Sequence, residues 1–79
     1  MNTLELYNQA FIDVFSVEEK DLGKDFTSEK VSNWDSMRKL NLMNLLEDTF
    51  DLIFEPGDML NFNSYEDGKA ILAKYGVTF

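Results

Sequence analysis

The chain has 79 residues, no Cys, no His, 15 acidic against 7 basic side chains and a formal charge of −8, with an isoelectric point near 4.2. Its length fits one domain with a modest core. The missing Cys and His exclude disulfides, thiolate or imidazole metal sites and an imidazole base, and the acid excess repels nucleic-acid phosphates and anionic membranes.

A hydrophobic content of 44%, with seven Phe, three Tyr, one Trp and four Met, is enough for a real core and excludes a disordered chain. No apolar run approaches membrane-spanning length. The opening "MNTLELYNQ" lacks the basic start and apolar centre of a signal peptide. The expectation is a cytoplasmic monomer that neither inserts in membranes nor binds nucleic acid. The absence of Cys agrees with a reducing compartment, and proteins with basic docking patches are the expected partners.

From Thr3 to Phe15, Leu4, Tyr7, Phe11 and Val14 fall at helical spacing; Ala10 and Phe15 widen the stripe and Leu6 lies off it. Thr3 is the expected cap. Residues 16–34, "SVEEKDLGKDFTSEKVSNW", form a long polar connection in which Val17, Leu22, Phe26 and Val31 can pin the chain to a core. A connection of this length usually has a function or contains a helical turn. A second helix is expected from Asp35 or Ser36 to Phe50, because no β-branched residue occurs from Ser36 to Asp48. Leu40, Met43, Leu46 and Phe50 form its stripe, broadened by Leu42 and Leu45.

In "DLIFEPGDMLNF", "LIF" is strand-like but has no partner elsewhere, and Pro56 suits the first position of a short helix over Gly57 to Asn61. The last helix starts at Ser64, where "SYED" is a capping box with Asp67 in the acidic place. It continues through Ala70, Ile71 and Tyr75 with Leu72 at its flank, and Gly76 stops it. The expected fold is all-α in a single domain over residues 1–79, with three main helices, a short third helix and a long loop between helices one and two.

The start of the second helix, "WDSMRKL", holds the chemistry. A serine hydroxyl is a weak nucleophile without a base to take its proton. The usual base is His, which is absent, and Lys39 one turn away is protonated in water, so no catalytic residue is expected and the chain is not expected to be an enzyme. Asp35 and Ser36 are both favoured N-cap residues, and a cap alone accounts for one of them. A third reading makes Ser36 the target of another enzyme that brings its own base and metal. A phosphodiester at that hydroxyl would sit at the positive end of the helix dipole, near unpaired backbone N–H groups.

"WDSMRKLNLMNLLEDTF" resembles the Asp-Ser-Leu region of acyl carrier proteins. The likeness extends to "LLEDTFDLIF" at the end of the second helix, to "EPGDM" before the short helix and to "FNSYEDGKAILAKYG" at the last one, in the family's order over about residues 4–76. It implies a four-helix acyl-carrier-like bundle with 4′-phosphopantetheine, donated by coenzyme A, attached to Ser36. Asp35 would cap the helix and help hold the Mg²⁺ used by the phosphopantetheinyl transferase; no metal is implied in the isolated chain. Met37 stands where the family has Leu, a mild change, and would meet the transferase and later partners. Trp34 departs from the family's usual Gly and reads as a lid over the helix start.

The resemblance further implies a non-catalytic carrier. Its arm would hold acyl groups as thioesters and present them to acyl-loading and acyl-using enzymes. The family is acidic at the places that here hold Arg38 and Asn41, with Lys39 beside them, whereas no Lys or Arg occurs from Leu40 to Asp67. Arg38, Lys39, Met43, Glu47, Asp48 and Asp58 are the expected docking residues, and the altered charge near Ser36 suggests a specialised pathway. Met37, Met43, Met59, Leu46, Ile53, Phe54 and Phe62 could line a cleft between helices two and three, although plain core packing is the better account of the Met residues. With seven Phe filling the space, small or polar cargo is then expected. An aminoacyl or peptidyl carrier, including a D-alanyl carrier, shares fold and site. An unmodified acidic interaction module, with Ser36 as a simple cap, is the alternative of another class.

Overall fold

The computed structural model describes residues 2–79. Four α-helices follow in order: α1 over Thr3–Phe15, α2 over Ser36–Phe50, α3 over Pro56–Asn61 and α4 over Tyr65–Lys74. The long first connection contains a 3₁₀ turn over Glu19–Asp21. Among the described residues there is no strand; "LIF" stays irregular, and Thr27 meets Ser64 in one isolated antiparallel bridge. No described helix is long and apolar enough to cross a membrane.

The cap of α1 is Asn2 rather than Thr3: its Oδ1 accepts the Glu5 N–H at 2.8 Å, and Thr3 takes the first helical position. Both residue types cap well, and the chain uses the earlier one. The buried face runs along the i, i+4 row of Tyr7, Phe11 and Phe15, flanked by Ala10. Leu4, expected in that stripe, lies at its margin and is 39% exposed.

Phe11 is the hub of the core. Its ring lies 5.0 Å from Tyr7, 5.3 Å from Tyr65, 5.6 Å from Phe26 and 5.9 Å from Phe15. The contacts with Tyr7, Tyr65 and Phe26 are edge-to-face and that with Phe15 is stacked, and such aromatic pairs each add about 0.5–1.5 kcal/mol beyond their buried area. Two of the rings that gather around Phe15 come from the long connection. Phe26 meets it edge-on at 5.4 Å and Trp34 stacks on it at 5.1 Å. The connection is thus pinned by its apolar points, with Phe26 buried and Val17, Leu22 and Val31 packed at the core margin. Asn33 also donates to the Phe15 carbonyl at 3.2 Å, satisfying an acceptor at the open end of α1.

The start of α4 is held from two sides. Ser64 caps it, accepting the Asp67 N–H at 2.9 Å. The Asp67 carboxylate reaches back one residue further than a regular capping box, to the Asn63 N–H at 3.2 Å. The Tyr65 N–H donates to the Phe26 carbonyl and the Ser28 N–H to the Asn63 carbonyl, at 2.9 and 2.8 Å. Between α1 and α4, Tyr7 donates to the Tyr65 carbonyl at 2.6 Å and Tyr65 donates to Asn8 Oδ1. Burial pushes both phenols up from their ordinary range. Gly68 lies in this seam, where a Cβ would strike the Tyr7 hydroxyl and stand 2.5 Å from Phe62 Cζ. On α4 the inward residues are Tyr65, Gly68, Ile71 and Leu72, while Ala70 is exposed. The helix stops at Lys74 and the chain turns at Gly76, whose φ of +87° suits glycine.

Candidate functional site

Asp35 has extended backbone angles and caps α2, its Oδ1 accepting the Arg38 N–H at 2.8 Å. Its Oδ2 takes the Arg38 guanidinium at 3.3 Å. Asp35 therefore does the capping, and Ser36 stands at the first helical position with an exposed side chain. The amides of Ser36 and Met37 are among those that an α-helix leaves without internal acceptors, and they lie at the positive end of a 15-residue helix.

A phosphodiester monoanion on Ser36 Oγ fits this setting, since the helix dipole, two free amides and Arg38 on the first turn all favour negative charge. Lys39 reaches away to Asn63 Oδ1 at 3.2 Å, joining α2 to the connection before α4, and partial burial lowers its pKa against the opposing pull of Asp67. Among the described residues no group of three or more acidic side chains forms a metal site.

Asp35, Ser36, Met37, Arg38 and Lys39 thus share one turn, while the other expected docking residues disperse. Met43 is buried, facing the core from α2. Glu47 turns inward and accepts the Phe54 N–H at 2.8 Å. Asp58 is corrected most sharply: it is 2% exposed and belongs to the interior junction of α3 with the end of α4, not to the outer surface. Its carboxylate accepts from Lys74 Nζ at 2.6 Å, from the Tyr75 hydroxyl and from the Glu55 N–H at 3.0 Å. Those bonds, from Lys74 first and Tyr75 next, hold its pKa below the usual carboxylate range against the cost of burial. Asp48 remains exposed.

A groove of about 180 Å³ does lie between α2 and α3, but its lining differs from the expected set. Met43, Phe54 and Met59 line it, together with Leu40, Asn44, Glu47, Glu55 and Pro56. Leu46 and Phe62 are buried in the core instead, and Met37 and Ile53 are 71% and 82% exposed. Leu40, expected in the buried stripe, is 44% exposed and forms the groove edge. Trp34, expected as a lid over the start of α2, stacks on Phe15, and its buried Nε1 finds no acceptor among the described residues. Comparison with protein-family models, curated proteins and solved structures finds no match to this chain.

Proposed function

We propose that this chain is an acyl carrier protein in which the Ser36 hydroxyl accepts a 4′-phosphopantetheine group from coenzyme A. The observation that carries the reading is the division of labour at the start of α2. Asp35 supplies the cap, so Ser36 is exposed at the head of the helix and has no structural duty there. The order of helices agrees with what the sequence resemblance implies: a long first helix, a long pinned connection, a second helix starting at Ser36, a short third and a fourth.

When bound, the arm supplies a thiol that holds an acyl group as a thioester. The chain itself presents and orients that arm; catalysis belongs to the transferase and to the acyl-loading and acyl-using enzymes. Arg38 and the first-turn amides favour the phosphodiester charge. Asp35, whose Oδ1 holds the cap and whose Oδ2 pairs with Arg38, would be the residue that helps hold a transferase-borne Mg²⁺. An aminoacyl cargo on the same arm is the second reading, favoured by the absence of acids at Arg38 and Asn41.

The test is intact mass before and after incubation with coenzyme A and a broad-specificity phosphopantetheinyl transferase. The expected result is a gain of one phosphopantetheinyl group in the initially unmodified protein and none in Ser36→Ala. No gain in a folded wild-type chain overturns the reading and leaves Ser36 as an exposed first-turn residue of an interaction module.

A further inference from the structure

The chain has one arginine, and it stands two residues after Ser36. The Arg38 N–H donates to Asp35 Oδ1 at 2.8 Å, and its guanidinium folds back over the same turn to Asp35 Oδ2 at 3.3 Å. Both side chains stand in solvent, Arg38 at 43% and Asp35 at 57% exposure. An exposed pair of this length is weak and easily remade. A guanidinium presents several N–H donors in a planar fork that matches phosphate as well as carboxylate. Among the described residues Asp35 is the only side chain that takes one of them.

Loading changes the charge of this turn. A phosphodiester on Ser36 Oγ adds a full negative charge on the residue next to Asp35, and two neighbouring anions repel unless a cation serves both. Lys39 is turned to Asn63 Oδ1 at 3.2 Å, and no Lys or Arg follows from Leu40 to Asp67. Arg38 is thus the one cation of α2 left to serve both. The Ser36 and Met37 amides would favour a phosphate on any helix that starts this way. The guanidinium is particular to this chain, whose resemblance implies an acid at that place.

We infer that Arg38 is a positioning residue for the arm: once Ser36 is loaded, its guanidinium bridges Asp35 and the phosphodiester, keeping a charge-assisted hydrogen bond to each. This rests on the carrier reading. The consequence is one of sign. Loading tightens the head of α2 and holds the root of the arm there, whereas an acid in place of Arg38 would crowd a third negative group into one turn and make loading a strain on the fold.

The experiment compares urea midpoints of the unloaded and fully loaded chain at low salt, for wild type, Arg38→Gln and Arg38→Glu. Loading is driven to completion with coenzyme A and excess phosphopantetheinyl transferase and checked by mass. Gln keeps a good helix former at an exposed position, so the fold is retained. Loss of the Asp35 pair alone would move the loaded and unloaded midpoints equally; the bridge adds a shift in the loaded form only. The expected result is a midpoint that rises on loading in the wild type, rises by half as much or less in Arg38→Gln, and falls in Arg38→Glu. The phosphodiester ³¹P resonance gives a second readout, displaced by Arg38→Gln and unmoved by Lys39→Gln. Equal changes on loading in all three chains overturn the inference and leave the carrier reading intact. An equal ³¹P displacement by Lys39→Gln also overturns it, since net charge would then be the cause. No loading of the wild-type chain overturns both.

Discussion

A single hydrogen atom's worth of space decides the fit at Gly68. Its Cα faces the Tyr7 hydroxyl and the Phe62 ring, so Gly68→Ala forces the two helices apart. Overpacking of this kind costs about 1–3 kcal/mol, against roughly 1 kcal/mol gained in helix propensity. Net destabilisation is expected, read as a lower urea midpoint; an unchanged or higher midpoint would show that the seam has room. At the start of α2, Asp35→Ala should cost about 1 kcal/mol by loss of the cap, whereas Asp35→Asn keeps most of it. Chemical denaturation of the two variants side by side decides this, and equal losses would assign the effect to the Arg38 pair instead. That the cap of α2 falls at the Asp35–Ser36 pair was legible from sequence because capping is local. The role of Gly68 was not, since Tyr7 and Phe62 approach it only in the assembled fold.

The short helix α3 is held by an acid that looks, in sequence, like any other. Pro56 and the capping arrangement of Glu55 and Asp58 made the helix itself readable. The inward aim of Asp58 depends on Lys74 and Tyr75, which lie beyond the next helix start, and no local pattern announces them. Because the folded pKa of Asp58 lies below its ordinary value, its ionised form adds stability that is fully present above that ordinary value. The contribution fades as pH falls from there through the folded pKa. Lys74 is raised by the same pair, so its share is present at neutral pH and lost only as pH rises through its folded pKa, above the usual lysine range. Urea midpoints followed downward from pH 6 should fall more steeply in the wild type than in Asp58→Asn, and parallel curves would remove Asp58 from the account. Hydrogen exchange in α3 should be faster in the variant at neutral pH, because its first turn loses a charged acceptor.

The assembled molecule carries a charge of −8 on a chain whose Cα radius of gyration is 11.4 Å. Like charges at that spacing oppose compaction, and salt screens them with a Debye length of about 10 Å at 0.1 M and about 3 Å at 1 M. The thermal midpoint should therefore rise between low and moderate NaCl; a fall would mean that the surface ion pairs outweigh the repulsion. Helix number and order were legible from the spacing of aromatic and aliphatic residues. The closing of the long connection was only half legible: Phe26 and Trp34 announced themselves as apolar, but their convergence on Phe15 is a tertiary event. That convergence has an optical consequence. The chain's one tryptophan stacks on Phe15 two residues before Ser36, so its fluorescence is a built-in gauge of the ground beside that hydroxyl. Emission from the native chain should lie to the blue of the unfolded chain. Occupation of the turn by an arm or an enzyme should change its intensity, so loading can be watched in real time without a label.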